Sequence, residues 1–140
     1  MADAKLLNKA KVFARFARIP DVLSSAAGKQ LKIEVDEMVA AMKRAAPVSD
    51  VEKNPGEFRD SIHAYDNPDR PLSYRIIADA KDEKGRNIGE WIEFGHTAPN
   101  GEHVAAQPSF FPTYRSRKKA MRRRLNAAGR KAAKAAFQEN

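Results

Sequence analysis

Apolar residues along the first 46 positions return every three or four residues. Leu6, Ala10, Phe13 and Ala17 share one stripe, broadened by Phe16, which predicts a helix from about Ala4 to Ile19. Pro20 has no amide proton and restricts Ile19, so it is expected to interrupt or kink that helix. A second helix is expected from about Asp21 to Ala46. Its apolar face would hold Leu23, Ala27, Leu31, Met38, Met42 and Ala45, with Gly28 a weak point and Pro47 the stop.

After the turn-rich stretch 47–57, the pattern changes to three short extended runs. "FRDSIHAY" is the first, and "NPDRP" separates it from "SYRIIADA", where Tyr74, Ile76 and Ala78 alternate with Arg75, Ile77 and Asp79. "KDEKGR" reads as a hairpin turn with Gly85 at its unusual dihedral. The third run, "NIGEWIEFG", sets Ile88, Ile92 and Phe94 on one face and Trp91 and Glu93 on the other. Antiparallel pairing of the second and third runs is expected, because their connection is short.

Pro112 is suited to a first helical turn, and the final helix should run to about Gln138, roughly 40 Å at 1.5 Å per residue. Its narrow apolar stripe is Tyr114, Met121, Leu125, Ala128, Ala132 and Ala136. The pattern therefore predicts an α+β protein with long N-terminal helices and a basic C-terminal helix packed on a small antiparallel β-sheet. One domain is expected over 1–140: a helical arm at 1–20, helix plus sheet at 21–111, and the basic helix at 112–140.

Charge sharpens this picture. The 140 residues carry +8, but Pro112 to Asn140 alone holds ten Lys or Arg against one acid, Glu139, leaving −1 on the other 111 residues. Such asymmetry points the basic end toward a polyanion or an acidic protein. The contact residues expected there are Arg115, Arg117, Lys118, Lys119, Arg122, Arg123, Arg124, Arg130 and Lys131. Arg122 to Arg124 fan across about 200° of the helix, so they cannot all be buried. No stacking platform or base-reading motif accompanies them, which makes any DNA contact independent of sequence. The absence of cysteine excludes disulfides and thiolate metal sites. No apolar run approaches the roughly 20 residues that span a bilayer. The basic, amphipathic stretch "KLLNKAKVFARFARIP" is read as a docking helix rather than a targeting or membrane segment.

Candidate chemistry is sparse. His63, His96 and His103 lack the clustered spacing of metal ligands, and neither a nucleophile elbow nor a phosphate loop is present. Asp69, Asp82 and Lys84 could in principle hold magnesium and activate water for phosphodiester cleavage. They fall in turns, however, where precise geometry is hard to hold. Glu93, between Ile92 and Phe94, is read as a structural carboxylate paired with Arg59 or Arg75, or facing another subunit, because buried acids are normally paired. No catalytic residue, cofactor or metal is expected.

Four landmarks in order resemble the neck or tail-completion proteins that join head and tail in tailed bacteriophages. They are Ala45-Ala46-Pro47-Val48; Gly56, Phe58, Arg59, Ser61 and Ile62; Trp91-Ile92-Glu93-Phe94-Gly95 with Thr97; and Gln107, Pro108 and Pro112 leading into the last helix. The resemblance covers about Asp21 to Ala136. The chain departs from the family pattern at Ser109 and Phe111, and in the loop "HTAPNGEHV". The resemblance implies a ring-forming homo-oligomer between portal-side and tail-side proteins, located in the virion after assembly in the host cytoplasm. Adjacent connector and tail proteins would be its partners, packaged DNA a possible non-specific one, and neither a membrane nor a small-molecule substrate is expected. The subunit or partner contact would use Trp91, Glu93, Phe94, His96, His103, Phe110 and Phe111. In that reading the segment 89–112 is architecture.

Overall fold

The computed structural model describes residues 2–49 and 54–138, with side chains described from Lys9 onward. The placing of Leu6 on the first apolar stripe, and residues 50–53 of the turn-rich stretch, lie outside the described parts. The fold is α+β, with a long N-terminal helix, a C-terminal helix and a small antiparallel sheet. Its elements are α1 (Ala2–Ala45), α2 (Glu57–Asp60), β1 (Ile62–Asp66), β2 (Tyr74–Ala78), α3 (Ile88–Phe94), β3 (His96–Thr97), β4 (His103–Val104) and α4 (Phe110–Gln138). Among the described residues no helix is long and apolar enough to cross a membrane.

Packing divides the chain into two compact units. One comprises Met1–Ile33 with Ala120–Asn140, the other Glu34–Lys119. In the first, the opening part of α1 runs antiparallel to the closing part of α4. The rings of Phe16 and Phe137 meet edge to face at 5.6 Å, and the flank of Gly129 faces Leu23. This pairing explains why α1 continues through Pro20, where an interruption was expected. Phe16 before the proline and Leu23 after it lie against the same partner helix. Packing of a shared face then offsets the hydrogen bond that proline cannot make.

The second unit contains the buried core. Val35, Met38, Ala41, Met42 and Ala46 line one side of α1 and its end, joined by Phe58, Ile62 and Ala80. The expected face is shifted at its end: Ala45 is exposed and Ala46 is buried. Residues 58–60 of the first extended run form the short helix α2 instead, so that β1 begins only at Ile62. β1 pairs with β2 in an antiparallel register, Ile62 opposite Ala78 and Asp66 opposite Tyr74. The expected pairing of the second and third runs does not form, because the third run is helical.

That run is α3, and its ends explain the outcome. The Asn87 side chain accepts the Gly89 amide at 2.8 Å, capping the N-terminus, with Glu90 in the first turn. At the other end Gly95 takes φ 75°, ψ 168°, and its amide donates to the Trp91 carbonyl at 2.8 Å. Ile88, Trp91 and Ile92 are then spaced at i, i+3 and i+4, a helical face.

Candidate assembly surface

The segment 89–112 is folded around one carboxylate. Glu93 lies on the last turn of α3 and is 6% exposed. Its Oε2 accepts the amides of Ser109 at 2.8 Å and Phe110 at 3.0 Å, and its Oε1 accepts the amide of Phe111 at 3.0 Å. These are the free amides at the start of α4. The next residue, Pro112, has no amide to satisfy, and Thr113 donates to the Ser109 carbonyl at 3.2 Å. Every backbone donor of that first turn is therefore accounted for. A negative charge also sits where the helix dipole is positive.

The expected partner of Glu93 was an arginine or another subunit. The structure replaces both with backbone amides, which satisfy a buried carboxylate without a second buried charge. Glu93 is accordingly removed from the contact surface. Ser109 occupies the usual position of a side-chain cap, but its Oγ is buried without a hydrogen-bond partner, because Glu93 has taken that task. A second tie closes the segment: the Gln107 amide donates to the Ile92 carbonyl at 2.7 Å, satisfying the end of α3.

Around this knot the aromatic residues separate into covered and exposed groups. Trp91 is half-buried, stacked on His96 with ring centres 5.0 Å apart, and the Arg86 guanidinium carbon lies 4.7 Å from its ring centre. Nδ1 of His96 is covered and has no hydrogen-bond partner. Phe110 is half-buried and meets Phe111 edge to face at 5.4 Å. Phe94 and Phe111, 6.0 Å apart, are instead 68% and 42% exposed. Beside them opens an apolar groove of about 230 Å³ lined by Phe58, Ile76, Phe110 and Phe111 among others. His103 is exposed on β4, where it pairs with Thr97 across the short hairpin whose other pair is His96 with Val104.

The magnesium-site candidates are occupied otherwise. Asp82 closes the 81–87 turn: Oδ1 accepts the amides of Lys84 and Arg86 at 3.0 and 2.8 Å, and Oδ2 accepts Arg86 Nε at 2.9 Å. These bonds, that from the Arg86 amide foremost, hold the Asp82 carboxyl below the ordinary aspartate range. Asp69 lies in the turn before β2, its amide donating to Asn67 Oδ1 at 3.3 Å. His63 Nδ1 donates to the Ser61 carbonyl at 2.9 Å. Among the described residues no three His, Asp or Glu side chains gather as a set of metal ligands.

The nine basic residues expected to form one contact on α4 fall into both units. Arg115, Arg117, Lys118 and Lys119 belong to the core unit, where Arg117 approaches Glu37 at 3.9 Å, while Arg122, Arg123, Arg124, Arg130 and Lys131 belong to the helical pair. The sequence marks Glu93 as a structural carboxylate, but its partners are backbone amides in place of Arg59 or Arg75. The missed signal was the Asn87–Glu90 and Gly95 punctuation, which turns the third run into a helix and directs Glu93 at α4. Comparisons of the chain with known protein families, curated proteins and solved structures find no match.

Proposed function

We propose that this chain is a structural subunit of a tailed bacteriophage that assembles with copies of itself into a ring of the neck or tail-completion region, joining capsid to tail. The observation that carries this reading is the division of labour around the α3–α4 knot. Its single buried acid, Glu93, is fully engaged in holding backbone, while Phe94 and Phe111 stand exposed beside it on a rigid support. Exposed, adjacent aromatic rings on a fixed frame suit a protein contact. Trp91, His96 and Phe110 support that frame from within, and His103 lies on the exposed hairpin. A heterologous contact repeated around an axis closes into a ring. The exposed basic side chains Arg122, Arg123, Arg130 and Lys131 of α4 would, in this reading, face an acidic neighbour or packaged DNA.

The test is the solution mass of the chain alone and with neighbouring connector and tail proteins. Assembly should be lost when Phe94 and Phe111 are both replaced by Ser in a protein that remains folded. A chain that stays monomeric and joins no head–tail assembly overturns the proposal. The rival reading, a magnesium-dependent nuclease built on Asp69, Asp82 and Lys84, draws no support from an Asp82 whose two oxygens both accept hydrogen bonds from its own turn. Magnesium-dependent cleavage of duplex DNA that disappears in Asp82→Asn would reinstate it.

A further inference from the structure

All of the protein's excess positive charge lies in one of its two units. Met1–Ile33 with Ala120–Asn140 contains 13 Lys or Arg against three acids, a balance of +10, and Glu34–Lys119 contains 13 against 15, a balance of −2. Asp21 is the one acid among the described side chains of the basic unit. Division by sequence had assigned this charge to the C-terminal helix. The packing shows that the opening half of α1 carries about half of it.

The placement follows from the helix pairing. Phe16 against Phe137 and Leu23 beside Gly129 fix two antiparallel segments side by side. Lys11 and Lys29 are exposed and Arg15 half-buried on one face of the first, and Arg122, Arg123, Arg130, Lys131 and Lys134 are exposed on the second. An open trough between the helices has Arg18, Lys29 and the one acid, Asp21, on its α1 side and Ala132 on its α4 side. Lys11 to Lys29 covers about 27 Å along the axis. None of the described residues of this unit is buried. Of its exposed large apolar residues, Val12, Phe13, Phe16 and Phe137 gather at one end and Ile33 lies at the other.

We infer that this helical pair binds the phosphate backbone of double-stranded DNA without regard to sequence, with lysines of α1 and arginines of α4 sharing one site. Protein–protein contacts are depleted in lysine at their centres, whereas DNA-binding surfaces are strongly positive. Cations spread along two helices side by side match a duplex, which carries one charge per ~1.7 Å of its axis. Phe16 and Phe137 lie edge to face against each other, an arrangement unlike the open stacking platforms that hold single strands. None of its residues belongs to the Phe94–Phe111 surface, so the inference stands or falls independently of ring assembly.

Fluorescence anisotropy of the full chain with labelled 30-base-pair duplexes of two unrelated sequences, over a range of potassium chloride, tests the inference. Both duplexes should bind within about threefold of each other. The slope of log K against log salt should be about −4 to −5, as for on the order of five neutralised phosphates. Replacing Lys11, Arg15 and Lys29 together by Gln, a comparable helix former, should flatten the slope by about 2 to 3. Replacing Arg122, Arg123 and Arg130 by Gln should do the same, while Gln at Arg70, Arg75 and Lys81 of the other unit should change it by less than about 1. Circular dichroism confirms that each variant is folded. A slope near zero in the native chain, or an unchanged slope in the α1 variant, overturns the inference. So does displacement of the duplex by equal charge of poly-glutamate, or by vesicles containing anionic lipid, as readily as by unlabelled duplex.

Discussion

Glu93 and Phe111 are 18 residues apart, and the carboxylate of the first accepts the backbone amide of the second at 3.0 Å. With the Ser109 and Phe110 amides on the same side chain, the end of α3 is joined to the start of α4 by a single group. Glu93→Gln replaces one acceptor oxygen with a donor and removes the charge. It should cost about 2–3 kcal/mol, read from urea unfolding, since bonds to a charged group are the strong ones and a buried amide would be left unpaired. Ser109→Ala should change stability by less than about 0.5 kcal/mol. A serine before a helix normally contributes about 1 kcal/mol through its oxygen, and here that oxygen caps nothing.

Gly95 is fixed twice over. Its φ of 75° and ψ of 168° belong to a region that glycine alone occupies readily, and a Cβ there would stand 2.8 Å from the Val104 carbonyl oxygen. Gly95→Ala should destabilise by about 3 kcal/mol. Gly85 shares the positive φ, at 77°, but has open space around it, so Gly85→Ala should cost only about 1 kcal/mol. Thermal unfolding of the two variants side by side checks the difference.

Pro20 leaves the Phe16 carbonyl without its helical donor. Pro20→Ala should restore that bond and raise the melting temperature, with a gain of up to about 3 kcal/mol. A fall in stability would mean that the break is needed for the pairing of the two helices.

Asp82 makes stability depend on acid. Its carboxyl is held below the ordinary value of 3.8 by the Arg86 and Lys84 amides and the Arg86 side chain. The folded state therefore binds the proton less readily than the unfolded chain. The stabilising contribution is complete above the ordinary aspartate range and is lost as pH falls through and below it. Asp82→Asn should flatten the stability–pH curve in that window and leave its neutral-to-alkaline limb unchanged, measured by urea titrations across pH. Asp60, lowered by its bond from Arg59, acts in the same window and should retain its share in that variant.

The sequence by itself determined the α+β class, the helical character of both ends, the β2 strand, the Gly85 turn and the concentration of charge toward one end. These follow from periodicity, punctuation and composition, which act over a few residues. It also held the caps of α3 in plain sight, but the alternation of Ile92 and Phe94 competed with them. Seven residues are too few for periodicity to choose between a short strand and a short helix. Tertiary structure decided the rest: that β1 pairs with β2, that α1 passes through Pro20, that Glu93 serves three amides of another helix, and that half of the basic surface comes from α1. Each of those outcomes depends on a partner distant along the chain, whose packing or hydrogen bonds outweigh the local preference.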